Sequence, residues 1–204
     1  MTNTNTSART GYLVRISSLV AIMLLLEATG LGMIHVGVLE LTILQIPVVI
    51  GAIILGPSAG ALLGGVFGAI SFWECFGRSA FGAALLAINP LSTFIVCFVP
   101  RILMGFLCGL IFKALYSIDK TKLLSFAASS LAGALLNTVL FMTALMLLFG
   151  NDPFILNMRG NLGLLPFLVA FVGLQGLVEA IVCFLVGAAV SKALIHFLPI
   201  SKKR

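Results

Sequence analysis

The chain has 204 residues, of which 61% are hydrophobic and 9% are charged, with twelve Lys or Arg against six acids. A soluble domain is nearer 45–50% apolar and about 25% charged, so eighteen charged side chains cannot clothe a water-exposed surface of this size. A soluble enzyme, a disordered chain and a disulfide-built secreted domain are excluded, and the chain belongs in a bilayer.

A crossing of the hydrocarbon core takes about 20 helical residues, and six apolar runs broken by Gly, Pro and charge follow in order. The polar, then basic, start MTNTNTSARTGYLVR leads into a retained first span over 12–34. The second, 41–56, contains Pro47 and is short for a full crossing. The third, 58–76, carries Gly60, Gly64 and Gly68, which with Gly56 make a four-residue repeat. Such small-residue faces let helix backbones approach closely in lipid; they predict packing inside the bundle, with a partner-docking face as the alternative. The fourth run, 91–116, has Pro100 and Arg101 within it; the fifth is 123–149; the sixth, 164–198, is unusually long. Between them, 77–90 and 150–163 are rich in Gly, Asn and apolar residues and read as a lid over a cavity or as interfacial segments. The expected fold is an all-α membrane protein, a single domain over 1–204 built as a six-transmembrane-helix bundle.

Six spans put both termini on one side. Placing them in the cytoplasm gives that side Arg9, Arg15, Lys113, Lys120, Lys122, Lys192, Lys202, Lys203 and Arg204, against Arg78 and Arg159 outside. Nine against two is the positive-inside pattern. Charge placed this way reflects topology, and no nucleic-acid partner is expected. Cys75, Cys97, Cys108 and Cys183 lack CxxC spacing and read as small buried hydrophobes, with no metal site.

Ionisable side chains at membrane depth cost about 2.5–3.5 kcal/mol each on insertion scales. Glu27, Arg101 and Glu179 are the three, joined by the amides Asn137 and Gln175; Gln175 and Glu179 share a helix face. Either they hold the bundle together, with Arg101 paired to Glu27 or Glu179, or they line a polar pocket for a small hydrogen-bonding solute. HExxH and Walker A patterns are absent, as are a repeated ion filter and a clear inverted repeat. A membrane-embedded solute binder without its own motor is what remains, with neither enzyme activity nor a cofactor expected.

The stretches LQIPVVIGAIILGPSAGALLGGVFGAISFW (44–73), FVPRILMGFLCGLIF (98–112), LAGALLNTVLFMTALMLLFG (131–150) and GLVEAIVCFLVG (176–187) resemble the substrate-binding (S) components of energy-coupling factor (ECF) vitamin transporters. The likeness covers nearly the whole chain and is greatest to the pantothenate-type members. It implies a prokaryotic plasma-membrane subunit that binds a vitamin from outside and docks on a transmembrane coupling protein driven by two ATPases. In the family an Ala-xxx-Ala face on span 1 makes that contact; Ser17-xxx-Ala21 is the nearest match here. The resemblance implies a pocket built from spans 4 to 6 and the outer loops, the segments that hold Arg101, Asn137, Gln175 and Glu179. For pantothenate, Arg101 would take the carboxylate, with Arg78 or Arg159 as substitutes. For an aromatic vitamin such as riboflavin, Phe72, Trp73, Phe76 and Phe81 would stack on it; Trp73 also suits an interfacial anchor. Cobalamin or a thiamine precursor are further alternatives, as is a structural or assembly role without transport.

Overall fold

A computed structural model describes residues 3–36, 39–119, 123–187, 189–190 and 193. Helix α1 (Asn3–Ala28) leads to a hairpin of β1 (Met33–Val36) and β2 (Leu39–Thr42), then α2 (Gln45–Leu55) and α3 (Pro57–Glu74). Helices α4 (Ala80–Ile88), α5 (Pro90–Ile118), α6 (Leu123–Phe149), α7 (Pro153–Arg159) and α8 (Leu164–Val182) complete the described chain, and α8 runs on as a π turn, Cys183–Gly187.

Turn chemistry fixes most of these ends. Gly56 has φ +98°, a conformation that side-chain-bearing residues avoid, and Pro57 opens α3 directly after it. The Oγ of Ser79 accepts from the Gly82 N–H at 2.8 Å to start α4. The Asn89 side chain does the same for Ser92 at 3.0 Å, ahead of Pro90 in α5. Asp152 accepts from Phe154 at 2.9 Å to start α7. Each satisfies one of the N–H groups that a first helical turn leaves over.

Among the described residues, three helical stretches are long and apolar enough to cross a membrane: Arg9–Ala28, Pro90–Ile118 and Leu124–Phe149. Gln45–Leu55 and Gly176–Gly187 are shorter apolar helices. Leu131, Leu135 and Val139 form an exposed apolar stripe along α6, and Leu13, Val14, Leu24 and Leu25 stand exposed on α1. Surfaces of this kind suit lipid and not water.

The expected spans shift in several places. The first ends at Ala28 and not at residue 34, because the chain leaves the helix for the hairpin, whose base is closed by the Ile43 N–H donating to Gly32 O at 2.9 Å. Expected span 41–56 starts four residues late, since Leu41 and Thr42 belong to β2, paired antiparallel with Ile34 and Met33. A short apolar, β-branched run does not declare helix or strand by periodicity, so the hairpin is an addition to the all-helical expectation. Segments 77–90 and 150–163 contain α4 and α7. The expected span 164–198 is continuous helix only to Val182 before the π turn, and most of its length beyond Val190 lies outside the described residues.

Among the described residues, three buried clusters organise the bundle. Ile16 and Met23 of α1 pack with Leu44, Val48, Leu63, Phe67 and Met104. Ile46, Val49 and Ile53 of α2 meet Cys108, Phe112, Phe126, Ala134 and Cys183. At the end that carries α4 and α7, Leu85, Val96, Leu145, Phe149 and Ile155 close together.

The glycine repeat is spent inside this packing. A Cβ on Gly60 would run into the Gly105 carbonyl, one on Gly64 into the Arg101 carbonyl, and one on Gly68 would lie 2.9 Å from the Cys97 carbonyl. Helices α3 and α5 therefore run antiparallel with backbones in contact. All four cysteines are buried and unbridged, as the sequence suggests.

Candidate functional site

Pro100 and Arg101 act as a unit. A proline has no N–H, so the carbonyl four residues earlier in a helix loses its partner. Here that carbonyl is Val96 O, and the Arg101 side chain folds back along α5 so that Nη1 donates to it at 2.8 Å. The bond aims the guanidinium toward the α4–α7 end of the bundle. Its central carbon lies 4.6 Å from the ring centre of Phe141 on α6 and 5.4 Å from that of Phe67 on α3. A cation between two aromatic faces is held electrostatically as well as sterically. Arg101 is buried, at 9% exposure, so its charge sits in the bundle interior and not at a lipid-facing snorkel position. Its five donors in a planar fork suit bidentate capture of a carboxylate.

Helix register defines what lies beneath it. Gly105 packs on Val48 and Gly109 on Ala52, so α2 runs parallel to α5. The Cys108 thiol donates to Ser129 O at 3.3 Å while Arg101 faces Phe141, so α6 runs antiparallel to α5. Gly133 of α6 meets Val49 of α2 and Cys108 of α5. One turn from this level toward the guanidinium, the same faces carry Gln45 on α2 and Asn137 on α6, and both residues are buried. From α8, Glu179 is also buried, and its Oε1 accepts the Thr42 backbone N–H at 2.8 Å. That bond ties the hairpin to α8. Thus Arg101, Asn137 and Glu179, three of the residues singled out from sequence, all occupy the interior.

The others are placed differently. Gln175 lies on α8 one turn before Glu179, and its side chain is outside the described residues. Arg78 follows α3 at the bundle's end, 56% exposed, and its Nη1 is 2.6 Å from Oε1 of Glu27, which is 12% exposed at the end of α1. Of the two acids considered for Arg101 in the structural reading, Glu27 instead reaches Arg78 across the rim. Arg159 donates to Leu162 O at 2.7 Å within the turn after α7. Trp73, 69% exposed, points away from the core, with Phe76 6.5 Å off, which is the posture of an interfacial anchor. The expected aromatic group divides: Phe72 sits edge-on to Phe76 and Phe94, whereas Phe81 packs on Phe154 and joins α4 to α7. Ser17 and Ala21 are exposed on α1.

Gln45 is the residue that reading the sequence missed. The signal was available: LQIPVVIGAIIL carries one amide at the head of an otherwise apolar run. An unmet buried amide costs about 1–3 kcal/mol, and Gln45 Oε1 and Asn137 Oδ1 have no hydrogen-bond partner among the described residues.

A profile of the family described as ECF transporter, substrate-specific component, matches residues 11–191. The chain belongs to this family. Over 197 residues it is 31% identical to the pantothenate transporter PanT of Leuconostoc mesenteroides, covering 92% of this chain and 93% of that protein. It is 37% identical over 120 residues to the pantothenic acid transporter PanT of Lactococcus lactis, covering 54% of this chain and 58% of the relative. A substrate-specific component is a transport subunit and not itself an enzyme, and the apolar helices place this one in a membrane.

Proposed function

We propose that this substrate-specific component is the high-affinity pantothenate-binding subunit of an ATP-driven importer in a prokaryotic plasma membrane. Its six spans are α1, α2, α3, α5, α6 and α8, with both termini cytoplasmic and α4 and α7 lying at the extracellular end. The nine-to-two distribution of basic residues supports that orientation. A transmembrane coupling protein and two ATPase subunits supply the energy, and Ser17 and Ala21 on the exposed side of α1 provide the docking face. The Arg101 guanidinium carries the solute assignment. It is buried, aimed by its bond to Val96 O and flanked by Phe67 and Phe141, as a receptor for one carboxylate requires. Both aligned relatives bear the name of pantothenate transporters, and pantothenate is a monocarboxylate with two hydroxyls and an amide. Asn137, Gln175 and Glu179 would serve those groups, while Arg78 and Trp73 stand at the mouth.

Calorimetry on the purified protein tests the reading. Pantothenate binds tightly, riboflavin, cobalamin and thiamine precursors do not, and Arg101→Ala weakens pantothenate at least tenfold. A full vitamin panel without detectable binding refutes the transport reading and leaves the buried charges a structural role. Binding of a different vitamin overturns pantothenate alone.

A further inference from the structure

Helix α2 begins inside the bundle, and its first residue brings an amide into a region with few polar groups. Gln45 is 1% exposed, and its Oε1 takes no hydrogen bond among the described residues. Across from it, Asn137 of α6 is 7% exposed with its Oδ1 in the same condition. The contact of Gly133 with Val49 fixes the antiparallel register of the two helices. Gln45 precedes Val49 by four residues and Asn137 follows Gly133 by four, so the two amides lie in one layer on facing surfaces. That layer is one turn, about 6 Å at 1.5 Å per residue, below the level of Phe141 where the Arg101 guanidinium sits. Glu179, the acid of the neighbouring helix, is engaged by the Thr42 backbone.

We infer that Gln45 and Asn137 form a pair of acceptors that reads the hydroxyl-bearing end of the bound acid, so that Gln45 is a specificity-determining residue. This rests on the pantothenate reading above. With the carboxylate on Arg101, the short acid arm of the solute spans the one-turn gap and delivers its amide and hydroxyl donors to this layer. The hydroxyls supply the donors that the described residues do not offer to the two side-chain oxygens. A solute of the same shape lacking a hydroxyl would leave a buried amide oxygen unmet, and sites built to hydrogen-bond a hydroxyl reject such analogues strongly. An apolar residue at position 45 would hold the vitamin less tightly and would also stop distinguishing it from the deoxy analogue.

The test compares pantothenate with its two monodeoxy analogues, each with one hydroxyl replaced by hydrogen, on wild type, Gln45→Met and Asn137→Leu. Gln45→Met is close in volume and preserves the packing. Thermal unfolding in detergent identifies any variant that has lost its fold, and Gln45→Asn, which keeps an amide on a shorter arm, stands in for Gln45→Met if that is the case. Wild type is expected to prefer pantothenate over at least one analogue by tenfold or more. Gln45→Met is expected to bind pantothenate at least tenfold more weakly and to reduce that preference to under threefold; Gln45→Asn reduces it in the same direction. Pantothenate affinity unchanged in the Gln45 variant overturns the inference. Equal loss for the vitamin and both analogues also overturns it, because a merely structural role lowers all three together. Wild type that binds no pantothenate refutes the vitamin reading and this inference with it, an outcome distinct from wild-type binding that Gln45 does not influence.

Discussion

A proline and an arginine side by side in an apolar helix look at first like two defects, yet in α5 each answers the other. Pro100 strips Val96 O of its helical donor, and Arg101 both supplies the replacement and has its own direction fixed by doing so. The guanidinium thereby has one N–H group on Val96 O, and its planar fork is of the shape that suits a carboxylate. Lysine has no such fork: its ammonium cannot bond Val96 O and grip a carboxylate bidentately from one fixed position. Arg101→Lys is accordingly expected to lose at least tenfold in pantothenate affinity, close to the alanine variant, by calorimetry. Recovery to within threefold of wild type would show that charge alone suffices. The sequence already marked Arg101, Asn137 and Glu179 through the cost of polar groups at membrane depth. It could not show that Glu27 turns to Arg78, because that pairing depends on the α3–α4 turn reaching the end of α1.

Helix α3 owes its place to which of its glycines face α5. Gly64 abuts the Arg101 carbonyl, where backbone cannot yield, whereas a Cβ on neighbouring Gly65 would make an ordinary 3.7 Å contact with Ile102. Overpacking a close backbone contact costs about 1–3 kcal/mol, while Gly to Ala in a helix interior otherwise gains roughly 0.5–1 kcal/mol. Thermal unfolding in detergent should separate them: Gly64→Ala lowers the midpoint clearly, and Gly65→Ala leaves it unchanged or raises it. Equal effects at both positions would mean that the two backbones are not in contact. Because Gly64 seats the residue that holds the guanidinium, its substitution should also weaken pantothenate binding. The four-residue spacing was legible in the sequence, but its partner was not, since an internal helix and an external protein ask for the same small residues. The hairpin escaped notice for a related reason: its pairing, Met33 with Thr42 and Ile34 with Leu41, is settled between strands and not within either.

For the molecule as a whole, one end gathers the hairpin, α4, α7 and the guanidinium, and the side of α1 bearing Ser17 and Ala21 stays exposed. On the proposed reading, solute capture and partner docking fall on different surfaces, and they should be separable. Ala21→Trp is expected to abolish co-purification with the coupling protein and ATPases while pantothenate binding stays within twofold; a complex that survives places the docking face elsewhere. Composition alone determined that this chain resides in a membrane, because scarce charge and abundant apolar side chains leave no soluble arrangement. Its charge placement supplied an expected orientation, and the cost of burying polar groups marked most of the candidate pocket. Only the tertiary structure decided that the glycine repeat faces α5, that Arg101 is turned back onto Val96, and that Gln45 lies level with Asn137. Those outcomes depend on the register between helices distant in sequence, a property that no single helix carries in its own pattern.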